Sequence, residues 1–206
     1  MSGLLDLPTE LRLRIYELAV AEPWPVSIIT YSGAHDLKPR RLLTAEALRL
    51  VDKRLKGDIL PLYWSGNAFG LFMAVGESRV GKRSDDETDR IFRRWLEDTV
   101  KANVHLIRHL EFTVTGHCEQ KRQALEHPKE PGVWYRVDAP YCTTVVYVDL
   151  WESPENAVIV DGEVCGHGDE MKARFHEVLS AMPRSSRQPQ VTRGVLWQLF
   201  ESCRVL

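Results

Sequence analysis

The residues most suggestive of catalysis lie between positions 76 and 83. The run from Gly76 to Lys82 has the glycine, glycine and lysine spacing of a P-loop, in which backbone amides cradle the phosphates of a nucleotide. Arg83 stands where the hydroxyl residue that binds magnesium belongs, and the helix predicted next begins several residues late. An apolar run ending in Asp149 could supply a magnesium-binding carboxylate. A degenerate P-loop nucleotide site is therefore an alternative, but not the expected function.

Histidine and cysteine are the next candidates, because both residue types ligate metals. His105 and His109 are four residues apart, but a change from helix to strand is predicted between them, so their imidazoles need not share a face. The four cysteines form no CxxC pair, and we expect reduced thiols. Neither a nucleophile elbow nor a zinc-protease helix occurs. We therefore expect a protein that is not an enzyme, with no cofactor and no metal.

The composition limits the classes of partner. The 206 residues, 44% of them hydrophobic, are enough to bury a core. A formal net charge of -2 gives no overall attraction to nucleic acid or to an anionic membrane. Basic residues outnumber acidic ones between Lys38 and Lys56, but no aromatic residue is interleaved with them, so we do not expect nucleic acid to be a partner. No stretch is apolar enough to span a bilayer, and we expect a soluble protein of the cytoplasm or nucleus.

The hydrophobic periodicity predicts an α+β fold, in which an N-terminal helical unit packs on a mixed, mainly antiparallel sheet with C-terminal helices. We expect Gly57 and Pro61 to break or kink the second helix, and Asp161-Gly162 to turn a hairpin. Helices are predicted from Pro8 to Val20, over 44–56, over 84–99 and twice near the C-terminus. Strands are predicted near 26–31, 68–75, 110–115, 133–137 and 143–150.

The first predicted helix is apolar on two opposite sides. One stripe is formed by Leu11, Ile15 and Leu18. The other is formed by Leu13, Tyr16 and Val20, about half a turn away. Such a helix is either an internal layer of its own protein or a surface helix that offers one stripe to another chain. Periodicity alone leaves both interpretations open.

The same segment carries a recognisable motif. Leu7, Pro8, Glu10, Leu11 and Ile15 are spaced as in the opening of an F-box, which this segment resembles. An F-box is the helical module that joins a substrate receptor to the Skp-type adaptor of a cullin-RING ubiquitin ligase. The longer pattern, which combines residues 6–17, 48–56 and 59–69, is similar to fungal F-box-like proteins.

The resemblance implies a non-enzymatic interaction protein that acts as a substrate receptor of such a ligase. The adaptor would be contacted by Leu7, Pro8, Leu11, Ile15, Leu50 and Val51. An F-box-like segment at 1–66, with a strand inserted near 26–31, would pack with an α+β domain at 67–206 as one globular unit, and the second part would hold an unidentified substrate protein. The alternative is an F-box-derived interaction domain that does not bind an adaptor.

Overall fold

The computed structural model describes residues 4–28, 53–75, 83–117, 141–162, 167–185 and 188–203. Within these ranges the α-helices are α1 (Thr9–Val20), α2 (Lys53–Gly66), α3 (Arg83–Arg94), α4 (His167–Ala181) and α5 (Arg193–Ser202). The strands are β1 (Val26–Ser27), β2 (Ala68–Val75), β3 (His109–His117), β4 (Tyr141–Asp149), β5 (Val158–Gly162), β6 (Arg184–Ser185) and β7 (Gln188–Pro189). Short 3-10 turns occupy Leu4–Asp6 and Val104–Leu106, and a π-helical turn, Trp95–Thr99, continues α3. The predicted α+β class is confirmed.

The main sheet has five strands in the order β1-β2-β3-β4-β5. The β1-β2 and β2-β3 pairings are parallel, whereas the β3-β4 and β4-β5 pairings are antiparallel. The sheet is therefore evenly mixed in its pairings rather than mainly antiparallel. The parallel β2-β3 pairing is possible because the connection between these strands contains α3, and a parallel crossover needs such a length of chain.

One face of this sheet is buried. Alternate residues of the three long strands point into the core, as the period of two in a strand requires; they include Phe69, Leu71, Met73, Leu110, Phe112, Val114, Val146 and Val148. Helix α4 covers β4 and β5, helix α5 packs on α4, and helix α3 lies against β2. The ring of Phe200 on α5 stacks on that of Phe92 on α3, with 4.5 Å between their centroids. A single hydrophobic cluster extends from Tyr16 to Cys203.

A predicted helix break and a predicted hairpin turn are wrong, whereas the alternative of a kink in α2 stays a prediction. Helix α2 continues through Gly57 and Pro61, because the burial of Ile59, Tyr63 and Trp64 on one side outweighs the local helix-breaking tendency. The predicted turn at positions 161 and 162 is instead the end of β5, where both residues pair with β4. In each case a tertiary contact overrides a local preference.

Some of the remaining predictions of helices and strands are confirmed, and others concern residues outside the described ranges. Strand β2 and the two C-terminal helices lie where they were predicted. His105 lies in a 3-10 turn and His109 begins β3, which confirms the change of structure between them. The predicted strand at 133–137 and most of the predicted helix at 44–56 lie outside the described residues. Within the described ranges, none of the helices combines the length and the hydrophobicity that a membrane span requires.

The expectation of reduced cysteines is also corrected. Cys142 on β4 is disulfide-bonded. Cys203 is a free thiol, and its burial raises its pKa above the ordinary value. It behaves as a small core residue, because a thiol with a raised pKa is a poor nucleophile.

A buried amide joins the N-terminal helices to the sheet. Asn67 lies between α2 and β2 and is 2% exposed. Its side-chain oxygen accepts a hydrogen bond from the backbone N–H of Glu22 at 2.7 Å, and its nitrogen donates to the carbonyls of Val20 and Tyr63, both at 2.9 Å. The three partners lie at the end of α1, just beyond it, and in the last turn of α2. Asn67 therefore fixes where α1 ends relative to α2.

We expect Asn67→Ala to lower the free energy of unfolding by about 3 kcal/mol, because three buried backbone groups lose their partner. Asn67→Asp should cost at least as much, since a carboxylate would face two carbonyl oxygens without a donor. Gln198→Ala, which removes an exposed amide from α5, is the control and should change stability by less than about 0.5 kcal/mol. Urea denaturation measures all three. Equal effects of Asn67→Ala and Gln198→Ala would contradict the role given to Asn67.

Candidate protein-interaction surface

The two apolar stripes of α1 have different environments. Tyr16 and Val20 are 3% and 2% exposed and belong to the core, with Leu13 partly buried beside them. This side of α1 faces α2. The other stripe is formed by Leu11, Ile15 and Leu18, which are 56%, 42% and 67% exposed. We call these three residues the exposed stripe.

The helix that carries the exposed stripe is held firmly. Its C-terminal end is fixed by Asn67, as described above, and its N-terminal half is tied to α2 by an ion pair between Arg12 and Asp58, at 3.8 Å. On the solvent side, Arg14 donates to Glu17 at 2.8 Å. The aliphatic side chains are therefore presented on a positioned helix, beside a polar pair that is already formed.

Four of the six predicted contact residues lie in the described part of the chain. Pro8 is exposed and is the N-cap of α1, where its carbonyl accepts the first helical hydrogen bond, from the N–H of Arg12 at 3.0 Å. Leu7 is partly buried in the preceding turn. Leu11 and Ile15 lie on the exposed stripe. The other two predicted contacts, at positions 50 and 51, lie outside the described residues.

Leu18 was not among the predicted contact residues, although it is the most exposed member of the stripe. The signal was present in the sequence, because Leu18 follows Ile15 by three residues and Leu11 by seven. The F-box motif ends at Ile15, so the motif alone does not reach it. Single exposed apolar residues need no explanation, but a contiguous row is typical of an interaction surface.

Comparison of the chain with protein-family models, with curated proteins and with solved structures finds no match. The similarity to F-box-like proteins therefore depends on the motif residues themselves, and the family assignment stays a prediction.

A second cluster of polar residues lies where β3 begins and β4 ends. The guanidinium of Arg108 donates to both carboxylate oxygens of Asp149, at 2.9 to 3.2 Å. The backbone N–H of Trp151 also donates to Asp149, at 2.9 Å, and Nδ1 of His109 is 3.7 Å from it. Asp149 thus joins two strands through several partners.

These contacts set the protonation of the cluster. Burial alone would raise the pKa of Asp149, but the hydrogen bonds from Arg108 and Trp151 outweigh it and hold the pKa below its ordinary value. Burial lowers the pKa of His109, against the opposing charge of Asp149, so this histidine is neutral at pH 7. Among the described residues, no group of three or more His, Cys, Asp or Glu side chains is placed to hold a metal ion.

The geometry offers little support for the nucleotide alternative. The P-loop-like residues 76–82 lie outside the described residues. Asp149, which could have bound magnesium, already accepts hydrogen bonds from protein donors on both oxygens. Its strand, β4, is antiparallel to both neighbours, whereas P-loop enzymes use a parallel sheet.

Asp149 provides a pH-dependent contribution to stability. Because its pKa is lower in the folded state than in the unfolded chain, this contribution is present above about pH 4 and is lost as the pH falls below that value. Asp149→Asn should lower the free energy of unfolding by about 1 kcal/mol at pH 7 and flatten the loss of stability between about pH 5 and pH 3.

Urea denaturation at a series of pH values checks this prediction. Arg108→Gln should give a similar loss at pH 7, and the double variant should lose less than the sum, since both changes break the same pair. Strict additivity of the two losses would show that the pair contributes nothing.

Proposed function

We propose that this chain is a non-enzymatic interaction protein that binds a Skp-type adaptor through α1 and serves as a substrate receptor of a cullin-RING ubiquitin ligase. The observation that carries the proposal is the exposure of Leu11, Ile15 and Leu18 on a helix whose opposite side is buried.

The energetics of the exposed stripe favour binding to an apolar surface. Full burial of one leucine or isoleucine side chain contributes about 1.5–3 kcal/mol. Association itself costs several kcal/mol or more in lost motional freedom. Three such side chains on a helix that is already ordered can offset much of this cost, because little further ordering is needed. A surface of this kind suits a hydrophobic groove on a partner.

The identity of the partner follows from the resemblance. The segment Leu7-Pro8 precedes α1, and Leu11 and Ile15 follow at the spacing of an F-box. Leu18 extends the same row by one turn, so we add it to the proposed adaptor contacts. The substrate protein would contact the sheet-containing half, where Phe72 and Tyr147 are exposed on the face opposite the core.

The test is co-expression of the full chain with a fungal Skp-type adaptor, followed by size-exclusion chromatography with light scattering. We expect a complex that contains the chain and the adaptor in equal numbers. Leu11→Asp and Leu18→Asp should each weaken binding at least tenfold, because each variant loses an apolar contact and buries a charge at the interface.

Ile159→Asp is the matched control. Ile159 is an aliphatic residue of similar exposure, 64%, on β5 rather than on α1, so its substitution should leave adaptor binding unchanged. All three variants replace exposed side chains and should keep the free energy of unfolding, measured by urea denaturation, within about 0.5 kcal/mol of the wild-type value. Absence of a complex with the wild-type chain, or a complex that survives both α1 substitutions, would contradict adaptor binding and favour an interaction domain with a different partner.

A further inference from the structure

Strand β5 is an edge strand with little protection. It pairs with β4 through five consecutive positions and contains no bulge. Among the described residues, no strand lies on its other side. Proteins commonly protect such edges with lysine, proline or a bulge, because an open edge invites pairing with another strand. Val158–Gly162 contains no lysine, proline or bulge, and its one charged residue is Asp161, near the end of the strand.

The hydrogen-bond pattern shows which backbone N–H and C=O groups of β5 point away from β4. The N–H of Asp149 donates to the carbonyl of Ala157 at 2.8 Å, which makes these two residues a hydrogen-bonded pair. In an antiparallel ladder such pairs alternate with non-hydrogen-bonded ones, so Ile159 bonds towards β4. The N–H and C=O groups of Val158 and Val160 therefore point away from β4.

Apart from the exposed Asp161, the side chains of Val158, Ile159 and Val160 at this edge are apolar on both faces. Val158 is 5% exposed and belongs to the core side. Ile159 lies on the open face, directly opposite Tyr147 of β4, and these residues are 64% and 42% exposed. Tyr147 and Ile159 thus form an apolar pair at the edge of the open face, and Glu111 of β3 is the next cross-strand neighbour of Tyr147.

We propose that a second copy of this chain pairs with β5 in antiparallel fashion, about a two-fold axis that passes through Ile159. In this register Val158 of each copy exchanges backbone hydrogen bonds with Val160 of the other. The two Ile159 side chains meet at the axis in a non-hydrogen-bonded pair, with about 4.5–5.5 Å between their Cβ atoms. The apolar pair of Tyr147 and Ile159 in one copy then meets the same pair in the other.

Charge selects this register. An axis at Val160 would place each Ile159 opposite Asp161, and an axis at Asp161 would place two carboxylates opposite each other. With the axis at Ile159, Asp161 lies opposite Ala157 of the second copy. The two Asp161 residues are then four positions apart, about 13 Å, which exceeds the screening length of about 8 Å at physiological salt. This register brings the apolar residues of the two edges together and keeps the two Asp161 carboxylates apart, which favours a second copy as the occupant.

The contact is only one strand wide, so its area is smaller than that of a permanent dimer. We expect a dimer that dissociates on dilution. The exposed stripe on α1 takes no part in it, and the proposal is independent of adaptor binding.

Sedimentation velocity of the full chain alone, over about two decades of protein concentration, tests the proposal. We expect the wild-type chain to shift from monomer to dimer. Ile159→Lys and Ile159→Glu should each remain monomeric, because like charges would meet at the axis. An equal mixture of these two variants should sediment as a dimer again, since opposite charges then face each other.

Leu18→Lys is the control and should keep the wild-type association, because it changes a similarly exposed aliphatic residue on α1. A wild-type chain that stays monomeric throughout would overturn the proposal and leave the edge to a strand from a different protein. A dimer that persists in Ile159→Lys, or a mixture that fails to associate, would also overturn it.

Discussion

The side chain of Asn67 is the constraint on which the arrangement of the N-terminal half depends. One buried amide satisfies an N–H just beyond α1, a carbonyl at the end of α1 and a carbonyl in α2. Because β2 begins at the next residue, the same amide also sets where both helices meet the sheet. A buried polar group with all of its partners is costly to disturb, so it specifies one position for α1 rather than merely adding attraction.

That position gives α1 two different sides. Tyr16 and Val20 enter the common core, whereas the exposed stripe remains at the surface. The internal-layer interpretation of the helix requires both stripes to be covered, and the exposure of Leu18 argues against it. The helix is thus anchored by one face and available by the other, which is the arrangement that a docking helix needs. The polar cluster around Asp149 serves a different purpose, because its contacts join two strands.

Periodicity predicted both stripes of α1 and the bounds of β2, since these depend on the spacing of side chains along one element. It could not decide which stripe is buried, because that depends on α2, a separate part of the chain. Local turn and break signals at Gly57, Pro61 and Asp161 failed for a related reason: packing against the core or pairing with β4 outweighed them. The outward hydrogen-bonding groups of β5 also required the observed register.

The most direct test of the account is the reactivity of thiols introduced at the two sides of α1. Leu18→Cys and Val20→Cys are labelled with a maleimide in the folded protein, and each rate is compared with that in urea and with the background of the wild-type chain. We predict that the thiol at position 18 reacts nearly as fast as in urea and that the thiol at position 20 is strongly protected. Equal protection at both positions would mean that the stripe is covered by the chain itself, and would contradict the account.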